Sequence, residues 1–335
     1  MTTVPDGGVG RPGPDVRRRI YELMTLMKLV DDRVTSAIRS GEVVAIYYSH
    51  RGQEAIAAAL GVALQPTDQL VTTYRGLHDH IAKGGPLVDL LGGVLGKDIG
   101  AGRGKSHILS LSQPEVGAML STGIVGSGLP IAAGLALSAQ LEDADRVTAV
   151  CFGDGASNTG SFHEAMNLAS LWNLPVIFVC QNNLYGEKTP VSRSMKVARV
   201  ADRARAYDIP GLRVNGNDPD ETYTALAEAI ERARSGGGPS LVECVTYRFR
   251  GHSLGDTMAY MPAEERAQAE AEDPVPAYRQ RLQSAGVCTA GELDDIDAAA
   301  LARVAEAVKQ VLAAPDPGAD EVMSDLYEDT ENIPA

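Results

Sequence analysis

The sequence predicts an α/β protein built on a parallel sheet with helices on both faces. Two observations carry that prediction. The runs VTAVCFGD (147–154), PVIFVCQNN (175–183) and SLVECVTY (240–247) are almost continuously apolar, as strands covered on both sides must be. Helical stretches separate them, the alternation that parallel strands joined by crossovers require. At 335 residues, the chain has room for one large α/β domain or two ordinary ones.

In chain order, the first residues are rich in Gly and Pro with little to bury, so 1–15 is expected to be a disordered arm. Apolar residues at Val16, Ile20, Leu23, Met27, Val30, Val34 and Ile38 keep a three-to-four spacing, which predicts an amphipathic helix over 15–40 with Gly41 as its stop. The Ala-rich stretch 53–64 reads as helix, QLVTTY (69–74) as a short strand leading into Arg75, and IGAGRGK (99–105) as a loop. The alternation then runs helix 126–141, strand 147–154, helix 160–172, strand 175–183, helix near 197–207, strand 212–216, helix 219–234 and strand 240–247. One α/β domain over 16–315 is expected to hold these elements, with 316–335 as a C-terminal tail.

Composition excludes several functions. A formal charge of −14, from 44 acidic and 30 basic residues, opposes binding to a polyanionic backbone, and no local basic patch offsets it, so no nucleic-acid partner is expected. No long apolar run and no apolar signal-peptide core are present, which predicts a cytoplasmic protein with no membrane partner. Cys151, Cys180, Cys244 and Cys288 show no CxxC pairing, and the first three fall in apolar runs, so they read as buried thiols.

Ligands of parallel sheets lie beyond the carboxyl ends of the strands, which singles out the residues following 74, 154, 183 and 247. Strand 147–154 ends in Gly153-Asp154-Gly155, the next in Gln181-Asn182-Asn183, and the βαβ connection puts Asp154 and Asn183 at one edge. A carboxylate, an amide oxygen and a backbone carbonyl just beyond Asn183 are hard oxygen donors suited to Mg2+, which completes its shell with waters and substrate phosphates. The flanking glycines let backbone N–H groups approach a diphosphate, and a helix starting near Gly160 would add its dipole. Each motif alone is also an ordinary turn; the pair is more specific.

The segment GDGASNTGSFHEAMNLASLWNLPVIFVCQNN resembles the cofactor motif of the thiamine-diphosphate enzymes. YRG (74–76), GRGKSH (102–107), TGIVGSGLPIAAGLAL (122–137) and YRFRGHSLGD (247–256) follow in the order and spacing of alpha subunits of 2-oxo acid dehydrogenases, pyruvate and acetoin branch. The resemblance implies the thiamine-diphosphate-binding fold, a beta subunit in an α2β2 heterotetramer, a small-molecule substrate and a lipoyl acyltransferase partner. It implies cleavage of a C–C bond next to a carbonyl and transfer of the acyl group to a lipoyl acceptor. In that family the beta subunit holds the glutamate that activates the cofactor's aminopyrimidine, so this chain is half a site. By matched position, Asp154, Asn183 and the Tyr185 carbonyl would hold Mg2+. Gly155 and Ala156 would offer backbone contacts to the diphosphate, Tyr74 and Arg75 would hold its oxygens, and Gly123 and Val125 would meet the aminopyrimidine. Arg248 and His252 lie in a loop whose counterpart orders over the cofactor, and a histidine beside a diphosphate can be protonated near neutral pH.

Tyr48, His78 and His252 are the candidate catalytic side chains. His78 and His80 follow Arg75 by three and five residues on a helix, and of the two only His78 has the spacing that returns it toward the Arg75 face. Pyruvate-type relatives carry a histidine where AIYYSHRGQEA has Tyr48, with His50 the nearest imidazole, and this segment resembles the acetoin type more closely. Two rivals stand beside this reading. One is a two-subunit carboligase or acyl transferase of transketolase-like chemistry. The other is a Rossmann oxidoreductase, disfavoured because GDGASNTG lacks G-x-G-x-x-G and GIVGSG follows no convincing strand.

Overall fold

The computed structural model describes residues 10–323. Most of the expected N-terminal arm and much of the C-terminal tail lie outside that range; helix already begins at Pro14, and Ala319–Met323 forms a 3-10 turn. The strands are β1 (Gln69–Thr73), β2 (Ala118–Thr122), β3 (Thr148–Gly153), β4 (Val176–Asn182), the two-residue pair β5 (Tyr185–Gly186) and β6 (Thr189–Pro190), β7 (Gly211–Asn215) and β8 (Ser240–Val245). Six of them form one sheet in the order β2-β1-β3-β4-β8-β7, every pairing parallel. The expected fold class is therefore the observed one.

Period-two alternation builds the two cores. On one sheet face Val150 and Phe152 of β3 and Val176, Phe178 and Cys180 of β4 pack against α5 (Gly128–Leu141) and α6 (Gly160–Leu171). Ala149, Cys151, Ile177 and Val179 point the other way, onto α2 (Glu54–Ala63) and α8 (Pro219–Arg234). A fully buried side chain such as Phe178 or Ile177 contributes about 1.5–3 kcal/mol through the apolar area it removes from water. A third cluster joins α1 (Pro14–Arg39), α3 (Leu77–Ala82) and α4 (Leu87–Leu95) to α10 (Pro274–Ser284) and α11 (Ala290–Ala313), an outer helical layer. The short α7 (Val191–Ser194) and the exposed α9 (Ala263–Ala271) flank the strand ends. All four cysteines are buried and free, as expected. Among the described residues no helix is long and apolar enough to cross a membrane.

Two local expectations need correction. GIVGSG does follow a strand: β2 ends at Thr122 and pairs with β1. Being an edge strand with half-exposed positions, it lacks the continuous apolar run that marks the interior strands. The helix expected near 197–207 is a 3-10 segment, Val200–Tyr207. Between Asp154 and α6 the chain makes a 3-10 turn, Asp154–Asn158, and the Thr159 side chain caps α6 by accepting from Phe162 N–H. The amides nearest the strand end therefore belong to that turn, not to α6.

Candidate functional site

The carboxyl ends of β1, β3, β4 and β8 open into a cleft of about 530 Å³. Parallel register explains the convergence: Gly153 pairs with Gln181, and Asn182 with Val245, so the residues after each strand emerge side by side. Tyr48, Tyr74, Arg75, Gly123, Val125, Asp154, Gly155, Ala156, Asn183, Tyr185, Arg248 and His252 all line it. Of the candidate catalytic and cofactor-binding residues, His78 alone stays outside.

Asp154 is the buried acid of the cleft. Its Oδ2 has no hydrogen-bond partner, and burial pushes the carboxyl up to about 6. Beside it two glycine backbones meet: a Cβ on Gly155 would lie 3.3 Å from the Gly186 Cα, and one on Gly186 would lie 3.9 Å from Asp154 Oδ2. Asn183 donates from Nδ2 to Gln53 Oε1 (2.8 Å), while its Oδ1 accepts the Tyr185 N–H (3.4 Å). Among the described residues no group of three His, Cys, Asp or Glu side chains could hold a metal. The donor set at this edge is instead an orphaned carboxylate oxygen, an amide oxygen and carbonyls, which fits a hard, oxygen-seeking cation such as Mg2+ and not a zinc-type site. The Tyr185 carbonyl already accepts from Arg248 Nη1 (3.1 Å), so the third donor expected from sequence is shared with a guanidinium.

Two buried cations complete the electrostatics. Arg75 donates from Nη1 to the Ser49 carbonyl (2.7 Å) and from Nη2 to the His252 carbonyl (2.8 Å). Arg248 reaches the carbonyls of Tyr185 and Glu187 and the Tyr260 hydroxyl. These partners are neutral oxygens, and among the described residues neither guanidinium is ion-paired with a carboxylate. Two desolvated positive charges without counter-ions are suited to receiving an anion. His252 stands beside them, its backbone N–H donating to Asp256 Oδ2 (2.9 Å), and Asp256 also accepts from the Met258 backbone N–H and the Tyr260 hydroxyl. Burial, then Arg75 and Arg248, lower the His252 pKa from its ordinary value.

Tyr48 packs edge-on against Tyr74 (4.6 Å between centroids) and His252 (5.4 Å), forming an aromatic wall on the cleft. His50 cannot substitute for the imidazole absent at Tyr48: it is fully buried, its Nε2 lies 3.1 Å from the Met27 carbonyl, and its ring stacks on His78 at 4.8 Å. His78 is also fully buried, and burial, then Arg75, pull it down to about 3. Helical spacing turned it toward Arg75, but the ring stacks on His50 and lies 3.8 Å from Asp79 Oδ1. It does not line the cleft, so its position offers no contact through which to play the catalytic part expected from its spacing.

Sequence reasoning missed the supports of the site. Glu243, fully buried on β8, accepts from Asn182 Nδ2 (2.7 Å) and from Ala201 N–H (3.0 Å). Asn182 Oδ1 in turn accepts the N–H of Leu184 (3.0 Å), whose φ of +71° swings the chain toward the cleft. A charged residue inside an apolar strand run was the available signal, because a buried carboxylate demands partners. Gln53 is the second support.

Residues 21–320 match the family described as dehydrogenase E1 component. The chain is 38% identical over 314 residues to the alpha subunit of acetoin:2,6-dichlorophenolindophenol oxidoreductase of Bacillus subtilis, covering 92% of each protein. It is 37% identical to the subunit of the same name from Cupriavidus necator, over 92% of this chain and 93% of that one. The 3-methyl-2-oxobutanoate dehydrogenase alpha subunit of Mycobacterium tuberculosis is 36% identical, over 92% and 82%.

Proposed function

The chain belongs to the dehydrogenase E1 component family, and on that premise we propose that it is the thiamine-diphosphate-binding alpha subunit of an acetoin or 2-oxo acid dehydrogenase, acting with a beta subunit. The observation that carries the reading is the charge arrangement of the cleft: unpaired, buried Arg75 and Arg248 share it with the orphaned Asp154 oxygen and the Asn183 amide. Anion-seeking and cation-seeking groups in one cleft suit a diphosphate bridged by a divalent cation. When bound, thiamine diphosphate supplies the carbon nucleophile that adds to a carbonyl and the electron sink that lets the adjacent C–C bond break. Asp154, Asn183 and the Tyr185 carbonyl would hold Mg2+. The amides of Gly155 and Ala156, with Tyr74, Arg75 and Arg248, would hold the diphosphate, and an anion there restores His252's tendency to protonate. Gly123 and Val125 at the exposed rim would meet the aminopyrimidine; a Cβ on Gly123 would find only Leu109, at 3.7 Å, so the rim stays open for a flat ring. The beta subunit would complete an α2β2 assembly and supply the group that activates that ring, and a lipoyl acyltransferase would accept the acyl group.

Tyr48 bears on substrate choice. A phenol is uncharged at neutral pH and offers a hydroxyl that can donate and accept. It therefore favours the neutral hydroxyketone acetoin over a 2-oxo carboxylate. A hydrogen bond worth about 1 kcal/mol corresponds to roughly fivefold in kcat/KM. With the reconstituted pair and an artificial electron acceptor, kcat/KM should rank acetoin above pyruvate and branched 2-oxo acids. A preference for pyruvate contradicts the ranking, and no turnover of all three favours the carboligase alternative.

A further inference from the structure

Gln53 is completely buried, lines the cleft at the start of α2, and has an Nε2 with no partner. Its orientation is fixed from outside. The Tyr185 N–H needs an acceptor and takes Asn183 Oδ1 (3.4 Å), so Asn183 presents Nδ2 to Gln53, which must answer with Oε1 (2.8 Å). Nε2 is left over with two N–H donors and nothing among the described residues to receive them.

The segment holding Gln53 is built for close approach. Gly52 has φ +96°, and a Cβ there would overlap the Tyr247 carbonyl oxygen and lie 2.8 Å from the Phe249 ring. The Gly52 carbonyl accepts from Thr246 Oγ1 (2.7 Å), and its N–H donates to Glu54 Oε2 (3.0 Å). The turn is thus held at both ends, its carbonyl by the residue that follows β8 and its amide by the first residue of α2. A rigid, dry donor without an acceptor is costly in the empty protein and is retained at functional sites.

We propose that Gln53 is a further cofactor-binding residue, its Nε2 donating to an anionic oxygen of the bound diphosphate while its Oε1 keeps the Asn183 amide oxygen turned to the cation. This rests on the diphosphate reading above. It differs from the guanidinium contacts in being neutral: Arg75 and Arg248 bring charge, whereas Gln53 selects by geometry and ties the anion to the cation ligand Asn183.

The test is thiamine diphosphate affinity at saturating Mg2+, measured by calorimetry on the chain assembled with its beta subunit. Gln53→Glu keeps the shape and the acceptor for Asn183 but replaces the donor with a repelling oxygen; Gln53→Met removes both functions without adding charge. Binding should weaken at least tenfold in Gln53→Glu, and less in Gln53→Met, with circular dichroism unchanged. Parent-like binding by Gln53→Glu, or tighter binding by Gln53→Glu than by Gln53→Met, overturns the proposal. Asp154→Ala in the same series separates the Gln53 contact from the site as a whole. If it binds like the parent, the site reading fails; if it loses binding while Gln53→Glu does not, only the Gln53 contact fails.

Discussion

Asp154→Ala should lose Mg2+-dependent binding of thiamine diphosphate while the empty chain becomes no less stable. The two halves of this expectation have one cause. In the empty cleft the carboxylate is buried, and its Oδ2 has no partner, so it is a liability to the fold. With a cation present it becomes the only anionic side-chain ligand of the expected set. Removing one partner of a buried charge pair costs about 3–5 kcal/mol, roughly a 10²–10⁴-fold loss of cofactor affinity. Calorimetry of the beta-paired protein should register that loss, and the apo variant's melting temperature at pH 8 should equal or exceed the parent's. A variant that melts lower and binds normally would make Asp154 a structural residue.

Gly52→Ala is the substitution expected to cost the most stability. The residue sits at φ +96°, where a side chain is strained, and the added methyl would overlap the Tyr247 carbonyl and crowd the Phe249 ring. Backbone strain of about 1–2 kcal/mol and overpacking of about 1–3 kcal/mol add to roughly 2–5 kcal/mol, because backbone oxygen cannot rotate away as a side chain can. Denaturant unfolding should show that loss. The surviving folded fraction should also bind cofactor more weakly, since the turn delivers Gln53 to the cleft. An unchanged midpoint would mean that the turn has room the geometry denies it.

The parts of this site that were legible before the structure are those in which chemistry and chain order coincide. Asp154 and Asn183 could be placed together because one βαβ unit connects them, and the continuous apolar runs of β3, β4 and β8 announced strands buried on both faces. The strand order was not legible: β1 lies between β2 and β3, and β8 between β4 and β7, arrangements that no local periodicity encodes. β2 escaped because an edge strand with half-exposed positions carries neither alternation nor a continuous apolar run. His78 shows the limit of helical spacing, which gives the angular direction of a side chain but not which layer it enters. Gln53 and Glu243 were missed for a related reason. Their partners, Asn183 and Asn182, lie 130 and 61 residues away in sequence, so although Glu243 stood out as a charge in an apolar run, neither partner could be named from the chain alone.

If this chain is the cofactor-diphosphate half of a two-chain catalyst, its activity must need the other half. The direct measurement is turnover of acetoin, with an artificial electron acceptor, by the purified chain alone and together with its beta subunit, each with and without thiamine diphosphate and Mg2+. Activity should require all three additions, with the chain alone at background. Robust turnover by the chain alone, with mass spectrometry detecting no second polypeptide, or turnover by the pair without thiamine diphosphate, would contradict the account.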